Sequence, residues 1–138
     1  MNKKGIDLIF GKKNENENLP IIKKFFGFDD LEIDVNNPFS TIDFINDFIL
    51  IELKSRRINH DKYDTCFIGY NKFKHFKKNN DKECFIVYKY EDGLYHIKFD
   101  YDLFKTFNTQ IQNTWRDGIC EKSKVVLIPI KHLIKMEI

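Results

Sequence analysis

Glycine, proline and cysteine are all scarce in this chain, at 6, 3 and 3 of 138 residues. There is no phosphate-cradling glycine loop and no Gly-x-Ser-x-Gly turn to present a serine nucleophile. The three cysteines, Cys66, Cys84 and Cys120, are odd in number and lack a metal-type spacing. They read as free thiols, which implies a reducing, intracellular setting, cytoplasmic or nuclear, and not secretion. The four histidines, His60, His75, His96 and His132, are likewise scattered without a zinc pattern. No apolar run reaches the roughly 18 residues that span a bilayer. The basic start Met1–Asp7 is not followed by an apolar stretch of signal-peptide length. No membrane partner is therefore expected. A strong charge of one sign is missing too: 23 Lys and Arg face 21 Asp and Glu, leaving a net +2. A global positive field is excluded, so any nucleic-acid surface has to be a local patch.

What the chain does have is aromatic bulk. Fourteen Phe and 42% hydrophobic residues predict a single folded domain over 1–138. Leu19, Ile22 and Phe26 recur at helical spacing after a polar stretch, predicting a helix that ends near Gly27. Pro20 is compatible with a first turn and would kink a later one. Residues 29–40 read as a loop. Strands are predicted at 41–45, 48–55 and 64–68, with Asn46-Asp47 as turn material. The second of these is apolar at four of its first five positions, the mark of a strand covered on both faces. Residues 69–80 change period and predict a helix with Phe73 and Phe76 inward among lysines. Strands at 83–90 and 94–99 are joined through Asp92-Gly93. A short helix at 102–107, a strand at 124–130 and a short terminal helix at 132–138 complete the reading. Residues 109–123 carry no clear period, and Trp115–Gly118 reads as a turn with a packed Trp. The fold class is α/β, a mixed central sheet flanked by helices.

The chemistry concentrates around Glu52-Leu53-Lys54. If the 41–45 and 48–55 strands form a hairpin turning at Asp47 and Phe48, Asp43 lies opposite Glu52. Opposed residues on antiparallel strands project from one face with Cβ atoms about 4.5–5.5 Å apart. Lys54, two residues on, joins that face, and Arg56 falls on it at the strand's end. Two carboxylates so close call for a cation, and Mg²⁺ takes one or two carboxylates plus waters and phosphate oxygens. An ammonium beside such an ion holds the attacking water or stabilises developing charge. Glu15, on the stripe with Leu19, Ile22 and Phe26, is the third candidate carboxylate. Glu17 is its rival, although Asn14-x-x-Glu17 also matches a capping box. A cross-strand cluster of this kind also serves as a plain surface ion-pair network. Lys72, Lys74 and Lys78, with Arg56 and Arg57 of the loop after the strand, are the candidate phosphate contacts.

Asp43 followed by Glu52-Leu53-Lys54 resembles the PD-(D/E)XK nuclease superfamily, the restriction-endonuclease-like fold. The resemblance runs from about Gly11 to Tyr90 and includes the order helix, three strands, helix, strand. The wording Gly11–Glu15, Ile51–Arg56 and Ile68–Lys72 is similar to small nuclease-like proteins of large DNA viruses. One departure is Ile42, where the motif often has proline. The resemblance implies a restriction-endonuclease-like core, with Asp43 and Glu52 as metal ligands and Lys54 as the catalytic lysine. It matches Glu15 to the acidic residue of the first core helix and Lys72 to the polar residue at the start of the second. It implies Mg²⁺- or Mn²⁺-dependent hydrolysis of nucleic acid, DNA rather than RNA, and a homodimer, for which residues 109–123 are the candidate interface. Two other functions stay open: a nucleic-acid-binding module without catalysis, and a structural or virion-associated protein on the same fold.

Overall fold

The apolar run that begins at Ile49 organises the molecule. The computed structural model describes residues 17–33 and 44–137. In chain order these contain helix α1 (17–26), strands β1 (Glu32–Ile33), β2 (Phe44–Ile45), β3 (Ile49–Ser55) and β4 (Thr65–Gly69), and helix α2 (Tyr70–Lys78). Strands β5 (Glu83–Tyr90) and β6 (Gly93–Lys98), helix α3 (Tyr101–Phe104), and strands β7 (Thr109–Arg116), β8 (Ile119–Pro129) and β9 (Ile134–Lys135) follow. Six strands form one sheet in the order β1-β2-β3-β5-β6-β9, antiparallel except for the parallel pair β3–β5. Three form a second, antiparallel sheet in the order β4-β8-β7.

Alternation along β3 explains why nearly every residue in it is apolar. Ile49, Ile51 and Leu53 pack with Ile22 of α1, Leu31 and Val87 on one face of the large sheet. Leu50 points the other way, into a cluster with Ile68, Phe76, Ile86 and Val126. Each such side chain contributes about 1.5–3 kcal/mol on full burial. Both faces are therefore covered, one by α1 and the other by α2 and the second sheet. Helix α1 ends as the sequence predicts. Gly27 takes φ +77°, and the amides of Gly27 and Phe28 both donate to the Lys23 carbonyl, at 2.9 and 3.1 Å.

The α/β class and the mixed sheet agree with expectation, and Phe73 and Phe76 of α2 are buried as predicted. Four local readings change. The strand at 65–69 leaves the central sheet and pairs with β8, because its inward residues Cys66 and Ile68 meet Ile128 and Val126. A short strand, β1, lies inside the stretch read as a loop. The chain end forms a 3-10 turn at Ile130–His132 and then β9, where Met136 N donates to Leu94 O, in place of a terminal helix. Residues 109–123 form most of a long hairpin, and Trp115 is 66% exposed instead of packed.

Candidate functional site

Three hydrogen bonds set the face on which Glu52 and Lys54 lie. In the turn between β2 and β3, Asn46 Oδ1 accepts from the amides of Phe48 and Ile49, both at 2.8 Å, and Asn46 N donates to Ile49 O. The turn is held from outside by Lys82 Nζ, which donates to Asn46 O at 2.7 Å, and by the Asn46 side-chain amide, which donates to Asp30 at 2.9 Å. The resulting register pairs Ile45 with Leu50 and Phe44 with Ile51. This is the register on which the expected opposition of Asp43 and Glu52 rests. Asp43 and Glu15 themselves lie outside the described residues.

Glu52 and Lys54 share the face of Leu50, turned toward α2 and the second sheet. Glu52 is 1% exposed, so its carboxylate is enclosed rather than set on an open surface. Lys54 is half-buried, and its Nζ reaches the Phe67 carbonyl at 3.5 Å and lies 4.9 Å from the Phe67 ring centre. Arg56 stacks on the same ring at 4.9 Å. Tyr88 OH donates to the same Phe67 carbonyl at 3.1 Å. Strand β3 thus brings Lys54 and Arg56 together on one residue of β4, at the carboxyl end of the parallel pair β3–β5.

A groove of about 430 Å³ opens at that place, lined among others by Arg56, His60, Cys66, Phe67, Tyr88 and Tyr90. Burial pushes the Cys66 thiol above its ordinary pKa, against the pull of hydrogen bonds to Tyr88 and Tyr90 and of the Lys54 charge. A thiol in that state is a poor nucleophile. Burial also raises the pKa of Tyr88 and Tyr90, so both hydroxyls stay protonated and serve as donors.

At the groove's edge His60, Asp92 and Tyr95 form a bonded set. The His60 ring Nδ1 bonds Asp92 Oδ2, the His60 amide donates to Asp92 Oδ1 at 2.9 Å, and the Tyr95 hydroxyl lies 3.0 Å from His60 Nδ1. Partial burial pushes the Asp92 carboxyl up, but the bonds from His60 outweigh it and hold the carboxyl below its ordinary range. Ligand atoms of His60, Asp61 and Asp92 lie within 4.8 Å of one another, a donor set able to hold a divalent ion. His60 Nδ1 is already committed to Asp92, which makes the set complete as a hydrogen-bonded unit. Sequence reasoning passed it over because its members come from a loop and a hairpin turn. The two segments lie far apart in the chain and meet through these bonds and that of Glu91 N to Ile58 O.

The expected phosphate contacts divide. Arg56 lines the groove, whereas Arg57 is exposed outside its lining. Lys74 and Lys78 are exposed on α2 and Lys72 is half-buried there, with Lys74 Nζ 5.6 Å from the Tyr70 ring centre. Compared with protein-family models, with curated proteins and with solved structures, the chain finds no match.

Proposed function

We propose that the protein is a metal-dependent phosphodiesterase acting on nucleic acid, DNA in preference to RNA, on a restriction-endonuclease-like core. The observation that carries this reading is the common face of Glu52 and Lys54 at the carboxyl end of β3, beside a groove that Arg56 lines. The order α1, β2, β3, α2, β5, with β3 and β5 parallel, supports it, with β4 set aside in the second sheet. The proposed donors are all carboxylates, the ligand type a hard cation takes. Glu52 is a buried carboxylate, and carboxylate oxygens suit Mg²⁺ or Mn²⁺. In this reading Asp43, Glu52 and Glu15 hold the ion. Once bound, it would acidify a water and polarise the phosphoryl group. Lys54 orients the nucleophile and offsets developing charge, and Arg56 holds a phosphate oxygen.

The test is cleavage of supercoiled, linear and branched DNA, and of RNA, with Mg²⁺ and Mn²⁺. Loss of one stabilising group in such a site costs roughly 10²–10³-fold in rate. Glu52→Gln, Lys54→Ala and Asp43→Asn are each expected to fall by that much. Activity that persists undiminished in the Glu52 and Lys54 variants overturns the proposal. The enclosure of Glu52 favours one second reading, a binding module without turnover. Calorimetry with Mn²⁺ separates the two, because metal uptake lost in Glu52→Gln belongs to the first reading. Nucleic-acid binding with neither heat from millimolar Mn²⁺ nor cleavage belongs to the second.

A further inference from the structure

The β7–β8 hairpin continues past the core and exposes one face of mixed aromatic and basic character. Its turn residues Asp117 and Gly118 both have positive φ, +53° and +79°, which keeps the two strands paired up to the tip. Directly opposed residues share a face. The pairs Trp115–Cys120, Asn113–Lys122 and Ile111–Lys124 therefore line one side of the ribbon. Further along, the same side carries Val126, which is buried against α2. Trp115 and Ile111 are 66% and 58% exposed, Lys122 and Lys124 are exposed, and no acidic residue shares this side. Glu121 projects from the other side.

The face leads onto α2 through a ring. Lys124 Nζ lies 4.2 Å from the centre of the Tyr70 ring, which Lys74 also approaches. Tyr70 stacks on Phe73 at 5.6 Å, and Phe73 meets Tyr101 of α3 at 5.8 Å. The Tyr101 ring in turn takes Lys77 Nζ at 4.7 Å. Helix α2 contains four lysines and no carboxylate. Among the described residues the ion pairs leave out Lys74, Lys77, Lys122 and Lys124. Like charges gathered on tyrosine faces repel one another, and a polyanion relieves that repulsion. A second copy of this face would set lysine against lysine. Duplex bases are stacked on each other and offer no face to an indole, whereas unpaired bases do.

We propose that the β7–β8 ribbon and α2 form a track for single-stranded nucleic acid, with Trp115 stacking an unpaired base and lysines from the ribbon and α2 meeting successive phosphates. The track goes beyond the hydrolase reading and does not depend on it, because Glu52 and Lys54 are not among its residues.

The experiment uses the full chain in EDTA, so that binding is read without cleavage. Oligo-dT, oligo-U, a duplex of the same length and polyglutamate are titrated at low salt. Trp115 is the sole tryptophan, so its fluorescence reports on the ribbon directly. The expected result is quenching by the single strands, which bind ahead of duplex and polyglutamate. Trp115→Ala is expected to weaken binding roughly 5- to 150-fold, the range for loss of one base–aromatic stack. Lys122→Gln combined with Lys124→Gln is expected to flatten the salt slope by about 1.4, two phosphate contacts on a single strand. Circular dichroism checks that these exposed-site variants stay folded. No binding at low salt, binding that leaves the tryptophan signal unchanged, or equal affinity for polyglutamate overturns the proposal. A Glu52→Gln protein that binds normally but no longer cleaves keeps the two proposals apart.

Discussion

Strands β3 and β7 are nearly equal in length, seven and eight residues, and have opposite surroundings. β3 lies inside the large sheet between β2 and β5, and its first five residues are buried. β7 is the outer strand of the small sheet, and Ile111 and Trp115 reach solvent from it. The large sheet gathers the buried apolar surface that holds the protein folded. In the ribbon only the end of β8 joins that surface, through Val125, Val126 and Ile128, and the outer part leaves its aromatic and basic groups available for contact. An enclosed strand fixes the position of a chemical group such as Lys54, and an outlying strand offers area.

Three substitutions sharpen this contrast, and their expected effects on stability descend in size. Phe76→Ala, at a fully buried α2 position facing the large sheet, is expected to cost about 3–5 kcal/mol, the range for emptying an aromatic core site. That is a large share of the 5–15 kcal/mol typical of a domain. Urea denaturation reads it, and a loss below about 1 kcal/mol, the cost of a surface change, would break the contrast.

His96→Phe tests the opposite face of the large sheet and is expected to stabilise. His96 sits among Phe25, Phe26 and Phe85, and its Nδ1 is buried with no hydrogen-bond partner among the described residues. Removing such an atom is worth about 1–3 kcal/mol. Burial also holds the His96 ring below its ordinary pKa of 6.5. The unfolded chain takes up a proton near pH 6.5 that the folded chain refuses, so stability is full above that pH. It falls as the pH drops from 6.5 toward the lower folded value. Thermal melts at pH 7.5 and 5.5 are expected to differ more for the native chain than for His96→Phe. Equal differences would assign the acid sensitivity elsewhere.

Trp115→Ala is the smallest, expected within about 0.5 kcal/mol because the indole is mostly in water. A loss of several kcal/mol would show that the outer end of the ribbon is part of the core.

The same contrast accounts for what was legible in the sequence. The run from Ile49 to Leu53 announced a doubly covered strand because its composition answers to two packed faces at once. Phe73 and Phe76 announced the buried face of α2 by their spacing. The turn at Asn46 was readable because its side-chain oxygen caps the amides that follow, and the turn fixes the β2–β3 register. β4 was readable as a strand but not as a member of another sheet, since Cys66 and Ile68 would suit either partner. β7 was unreadable because Gln, Asn and Thr fill it, and only pairing with β8 makes it a strand. For the candidate site, the common face of Glu52 and Lys54 follows from strand alternation alone. The enclosure of Glu52 depends on what covers that face, and no local pattern encodes it. The His60–Asp92–Tyr95 set joins groups that only the folded chain brings near.

The partnership of β4 with β8 also has a consequence for biosynthesis. Thr65 is registered with Pro129, so β4 emerges from the ribosome long before the strand that completes its hydrogen bonds. Pairings between distant segments form late. Until β8 arrives, Thr65–Gly69 is a β-prone segment with open edges, the kind of stretch through which nascent chains stick to one another.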